Sequence, residues 1–236
     1  MAEGPSPFLT IGKYTITVTH GHQLGRGAFG LVYKGEDKDN NIVAAKCIIC
    51  AIPRHHQLAM TEIQALQKLD HPNVVRIIDS EVKLAKKEIW IIMEFCDKRD
   101  LETYVNENGL NVDLAYSTLQ GCASALQYLH EHGVTHRDIK PQNILLKTDD
   151  LGRVIPKLAD FGLSKVKESG AESSITTARI GTTAYMAPEV QEGKHYKRSV
   201  DLYSLGLVLV GMINILVTGV KEFIPSNSEF CYLFCL

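Results

Sequence analysis

The chain has no surplus of either charge, no cysteine framework, and no basic, apolar start, and each absence removes a class of function. Its 236 residues carry a formal net charge of −2, so nothing in it favours a polyanion and no nucleic-acid partner is implied. The start Met1-Ala2-Glu3-Gly4-Pro5 lacks the positive and apolar regions of a signal peptide. The six cysteines, at 47, 50, 96, 122, 231 and 235, are scattered, which predicts reduced thiols and a cytoplasmic setting. Cys47 and Cys50 have a metal-like spacing, but an offset of three along a strand points side chains to opposite faces, and no second ligand pair accompanies them. His20/His22 and His55/His56 likewise have no partner ligands. Internal repeats and low-complexity segments are absent. Long apolar runs are absent too, except Leu202 to Val220. That run is just long enough to cross a membrane, but Tyr203, Ser204, Asn214 and Thr218 interrupt it, and it is read as a fully buried helix of a core.

What is present is a change of character along the chain. Residues 1–19 form a leader or an extra strand. Gly30–Gly35 and Asn41–Lys46 read as neighbouring strands joined by the polar turn Glu36–Asn40. Gln57 to Leu69 places Ile63, Leu66 and Leu69 at helical spacing, with His71-Pro72-Asn73 ending the helix. Glu88–Glu94 is an apolar strand holding the single tryptophan. From Leu101 the pattern is helical, with Tyr116 to His130 the clearest amphipathic stretch.

Four short motifs carry the chemistry, in order. Gly25-Arg26-Gly27-Ala28-Phe29-Gly30 offers glycines that let backbone N–H groups approach phosphate oxygens. Because Leu31-Val32-Tyr33 continues as strand instead of opening a helix, the dinucleotide-binding pattern does not fit. Lys46 ends an apolar strand, and Glu62 follows on the next helix. His136-Arg137-Asp138-Ile139-Lys140-Pro141-Gln142-Asn143 gathers a proton acceptor, a cation and an amide oxygen. That set suits phosphoryl transfer, which needs positioning and charge neutralisation more than covalent chemistry. Asp160-Phe161-Gly162 and Ala187-Pro188-Glu189 close the series.

In this order and spacing the motifs resemble those of the eukaryotic protein kinase catalytic domain, serine/threonine type, over about Gly21 to Leu209. The resemblance implies an α+β, protein-kinase-like bilobal fold, with a leader (1–19), a strand-rich N-lobe (20–95), a helical C-lobe (96–225) and a divergent tail (226–236). It implies ATP and Mg²⁺ as cofactors. Lys46 grips the nucleotide's phosphates and Glu62 holds it. Asp138 accepts the substrate hydroxyl's proton, Lys140 neutralises the transferred phosphoryl group, and Asn143 and Asp160 bind the metal. Adenine meets the backbone of Glu94 and Cys96, beside Met93, with Leu145 below it. Leu24, Gly25, Gly27, Gly30, Val32 and Ala44 complete the nucleotide-binding set. Lys140, and Thr182 within Gly181–Met186, favour serine or threonine substrates. Arg137 is placed to pair with a phosphate on the hydroxyl-rich segment 164–178, Thr176 and Thr177 being the best acceptors for an upstream kinase or for autophosphorylation.

The resemblance fades beyond Leu209, so the C-lobe is expected to be incomplete. Glu189 then lacks the arginine that normally pairs with it, and an apolar face is left uncovered. Asp100–Val105 and the loop at 140–143 weakly resemble the Unc-51-like kinases. Two readings follow: a protein serine/threonine kinase, or a kinase-fold fragment that binds ATP or a partner with little catalysis.

Overall fold

The computed structural model describes residues 7–27, 30–49, 53–161, 183–193 and 197–223. They fall in two compact units, one of the residues up to Cys96 together with Phe161, the other of Asp97–Asp160 and the described residues from 183 onward.

The first unit is built on a seven-stranded sheet. Its strands are β1 (Phe8–Ile11), β2 (Tyr14–Thr17), β3 (Gln23–Gly27), β4 (Gly30–Glu36), β5 (Ile42–Ile49), β6 (Ile77–Lys83) and β7 (Glu88–Glu94). The order is β1-β2-β4-β5-β7-β6 with β3 added on β4, and every named pairing is antiparallel. The stretch read as a leader or an extra strand thus holds two strands. Ile11 faces Tyr14 across Gly12-Lys13, and Gly12 has φ +54°, a conformation that glycine tolerates in two-residue turns. The sheet curls on itself. Gly12, at one end of the strand order, donates its N–H to Glu81 Oε2 on β6, at the other end (2.6 Å). Ile11, Tyr14, Ile16, Val43, Ala45, Trp90 and Ile92 fill the curl. They come from alternate positions of their strands, as the two-residue period requires.

Because β5 alternates, Ala44, Lys46 and Ile48 take its other face, and Lys46 is 1% exposed there. Helix α1 (Pro53–Leu66) packs on β6 and buries a stripe of Ala59, Ile63 and Leu66. It starts and ends earlier than the spacing of apolar residues predicts. Beyond Leu66 the chain tightens into i→i+3 bonds, Lys68 N–H to Ala65 (3.3 Å) and Leu69 N–H to Leu66 (3.1 Å). Leu69 is therefore buried from a turn, not from the helix.

The second unit contains α2 (Leu101–Asn108), α3 (Val112–Glu131), the hairpin β8 (Ile144–Thr148) and β9 (Val154–Leu158), the one-turn α4 (Pro188–Gln191), and α5 (Ser199–Thr218). Two caps start its helices: Asp100 accepts from Thr103 N (2.9 Å) and Asn111 accepts from Leu114 N (2.8 Å). Helix α5 corrects the expectation of a fully buried helix. Val200, Asp201, Ser204, Leu205, Val208, Gly211, Met212 and Ile215 form its buried stripe. The opposite face stays open, with Leu202 at 58%, Ile213 at 50% and Val217 at 79% exposure. By length and composition alone, α5 is the one helix among the described residues able to cross a membrane, and 44% of its most apolar 18-residue stretch is buried in protein. Gly211 is required here, since a Cβ would lie 2.2 Å from the Phe223 carbonyl oxygen.

Candidate active site

In the second unit the loop 136–143 is held from beneath by one buried carboxylate. Asp201, in the first turn of α5, is 0% exposed. Its Oδ2 accepts from the His136 N–H (2.9 Å) and its Oδ1 from the Arg137 N–H (2.7 Å). His130 Nε2, at the end of α3, also lies 2.7 Å from Oδ2. Arg137 adopts φ +70°, a strained choice for a residue with a side chain. In the sequence Asp201 stands immediately before the apolar run Leu202 to Val220, with nothing local to mark this role. What marks it in the structure is its place, as an acid, on the stripe that the helix buries.

His136 carries the connection upward. Its Nε2 lies 2.9 Å from the Ala159 carbonyl oxygen, and its Nδ1 accepts from the Asp138 N–H (3.3 Å). Those partners require a proton on Nε2 and none on Nδ1, which is the neutral imidazole. Burial favours the same form and holds the His136 pKa below its ordinary value. The nearby carboxylates of Asp201, Asp138 and Asp160 oppose that shift.

Above this support the predicted residues gather. Lys140 Nζ reaches both Asp138 oxygens (3.1 and 2.8 Å). Asn143 Nδ2 donates to the Asp138 carbonyl oxygen (2.7 Å) and to its carboxylate Oδ2 (2.8 Å). The Asn143 carbonyl in turn accepts from the Ala159 N–H (2.9 Å), and Ile144 pairs with Leu158. Asp160 therefore begins one residue from a backbone bond to Asn143, at φ +64°. Leu145, on β8, bridges to Asp100.

A divalent ion is tested by the donor set. Both amide N–H groups of Asn143 are directed at Asp138, which leaves its amide oxygen for a cation. One carboxylate plus one amide oxygen fits Mg²⁺, which keeps water and phosphate oxygens as its other ligands. Among the described residues no group of three or more His, Cys, Asp or Glu side chains could hold a metal, which is consistent with so sparse a set.

In the first unit, Val32 pairs with Lys46, Ala44 with Met93, and Gly25 with Val32. Glu62 lies half-buried on the inward stripe of α1. A buried ammonium needs an opposite charge, and Glu62 is an acid placed on that stripe. Glu94 donates its N–H to the Arg76 carbonyl (3.0 Å), and its carboxylate accepts the Arg76 N–H (2.8 Å). Cys96 is buried, and Leu24 is exposed. The glycines differ in kind. Gly30 has φ +140°, and a Cβ on it would stand 1.9 Å from the Cys47 carbonyl oxygen, so the sheet itself demands it. Gly25 has nothing within 4 Å of its Cβ position, and that open space suits a phosphate approaching the backbone. Gly27 pairs with Gly30 across the strand ends. Burial pushes the Cys47 thiol up to about 12, assisted by Glu88, so Cys47 is inert as a nucleophile. Thr176, Thr177, Gly162 and Thr182 lie outside the described residues.

Comparison with known proteins agrees with this architecture. The family model described as the protein kinase domain matches residues 18–221. Among curated relatives, the inhibitor of nuclear factor kappa-B kinase subunit beta of Bos taurus is 36% identical over 86% of this chain and 27% of its own length. The serine/threonine-protein kinase ULK1 of Homo sapiens is 33% identical over 95% of this chain and 21% of its own. The serine/threonine-protein kinase ATG1b of Arabidopsis thaliana is 34% identical over 93% and 29%. The chain spans about half or less of the length of the curated relatives it matches. With the motifs, the curled sheet and the anchored loop in place, the chain belongs to the protein kinase domain family.

Proposed function

We propose that this chain is a protein serine/threonine kinase that moves the γ-phosphoryl group of ATP to a protein hydroxyl with Mg²⁺. Protein kinase domains use ATP and a divalent metal in general. One observation carries the finer reading. A single carboxylate, Asp138, is oriented by a cation and an amide on its own loop, and that loop is fixed by Asp201. Asp138, an acceptor when ionised, receives the hydroxyl proton and aims the oxygen. Lys140, already beside it, offers positive charge to the group in transfer. When bound, Mg²⁺ neutralises phosphate charge, and Asn143 and Asp160 are the residues that hold it. Lys46, positioned by Glu62, grips the phosphates. Gly25, Gly27 and Gly30 present backbone to them. Adenine is taken by the backbone of Glu94 and Cys96, with Met93, Leu24, Val32, Ala44 and Leu145 as its apolar surroundings. Residues 20–95 and 96–225 act as the two lobes, in a cytoplasmic setting.

The test is transfer of radiolabelled phosphate from ATP to a generic serine/threonine substrate, beside an Asp138→Ala control. Incorporation that needs Mg²⁺ and disappears in the control is the expected result. A folded, ATP-binding chain that transfers nothing overturns the catalytic reading.

A further inference from the structure

Glu102 stands in the first turn of α2, the helix that packs against the turn Pro141–Asn143. An acid at that place ordinarily serves the helix N-terminus. Here the capping is already done, because Asp100 accepts both the N–H and the hydroxyl of Thr103 (2.9 and 2.7 Å). The Glu102 carboxylate turns to the active-site loop instead: Gln142 Nε2 donates to its Oε2 at 2.7 Å. Helix α2 and the loop carrying Asp138 therefore meet at one carboxylate.

The hydrogen-bond partner of that carboxylate is a neutral amide, and among the described residues no cation is paired with it. Lys140, close by on the same loop, is spent on Asp138. Glu102 is only half-buried, and its bond with Gln142 sets its charge beside the loop that carries Asp138. We propose that Glu102 is a specificity-determining residue that selects protein substrates with an arginine or lysine near the acceptor hydroxyl. This rests on the kinase reading above.

The test uses peptides alike except for arginine or norleucine at each flanking position in turn. Binding is read by fluorescence anisotropy without nucleotide, and phosphate transfer is read separately. At one or more positions the wild type should favour arginine about fivefold (~1 kcal/mol), as a partly screened ion pair gives, and the preference should shrink with added salt. Glu102→Gln keeps the size and the acceptor for Gln142 but loses the charge, and its arginine-to-norleucine ratio should fall to one. Gln142→Ala removes the neutral partner and should keep the preference. Equal binding of both peptides by the wild type, or an undiminished ratio in Glu102→Gln, overturns the proposal. Absence of transfer to every peptide instead counts against the kinase reading, while the binding ratio still reports on Glu102.

Discussion

Replacing Asp201 by asparagine keeps the shape of the side chain and removes one of its two acceptors. In the wild type, Oδ1 serves the Arg137 N–H, while Oδ2 serves the His136 N–H and His130 Nε2. An asparagine oxygen can serve only one of the two backbone donors, and its NH₂ then faces the other. A buried donor left unpaired costs ~1–3 kcal/mol. Losing the buried contact with His130, whose side chain is 9% exposed, adds ~1.5–3 kcal/mol, the worth of a hydrogen bond to a charged group. Asp201→Asn should therefore lose about 2.5–6 kcal/mol. Asp201→Ala, with both donors orphaned, should lose more. Against a total margin of ~5–15 kcal/mol, both are large. Urea denaturation followed by circular dichroism measures the loss, and phosphate transfer measures the loop. Arg137 is held at φ +70° by one of these bonds, so the loop should relax and transfer should fall in Asp201→Asn even at temperatures where the chain stays folded. An asparagine variant within ~0.5 kcal/mol of wild type, or an alanine variant no worse than asparagine, would refute the reasoning.

Two further outcomes follow from other parts of the structure. Gly30→Ala places a Cβ against the Cys47 carbonyl at a positive φ and should cost roughly 2–4 kcal/mol. Gly25→Ala meets nothing and should leave the melting temperature nearly unchanged while raising the KM for ATP. Equal effects of the two on stability would contradict the distinction. His136 titrates lower in the folded chain than its ordinary 6.5, so between its folded pKa and 6.5 the unfolded chain binds more protons. Stability should fall as pH drops through that window, by up to ~1.4 kcal/mol per pH unit. The difference between wild type and His136→Asn, measured by denaturation at several pH values, should show that slope, and a flat difference would count against a neutral buried imidazole.

The sequence was most informative where chemistry depends on residue type and spacing. The glycine series, Lys46, the 136–143 loop and Asp160 were legible because few other purposes need those residues in that order. The Glu88–Glu94 strand was legible at both ends, because an unbroken apolar run in a buried strand admits one boundary. Helix α1 was misjudged at both ends. Leu69 kept the helical spacing although it is buried from a turn, and Pro53, a first-turn signal, was passed over. The hairpin at 8–17 was only half seen, although its alternation of residue types and its glycine are local features. Asp201 was harder. Its importance comes from donors 64 and 65 residues away, and no local pattern announces such partners. Glu102 shares that difficulty, since α2 and Gln142 meet across 40 residues.

The curl of the first unit also orders events during synthesis. The hairpin at 8–17 leaves the ribosome before the strands it packs with, and the contact that closes the sheet joins residues 69 apart, Gly12 and Glu81. Its partners Trp90 and Ile92 come later still. Until then Ile11, Tyr14 and Ile16 have no core to enter, and a nascent chain with such surface is where chaperones bind or mispairing starts. This hairpin is thus made before the residues that secure it, so a stalled or shortened chain ending before residue 90 would present these side chains to the cell.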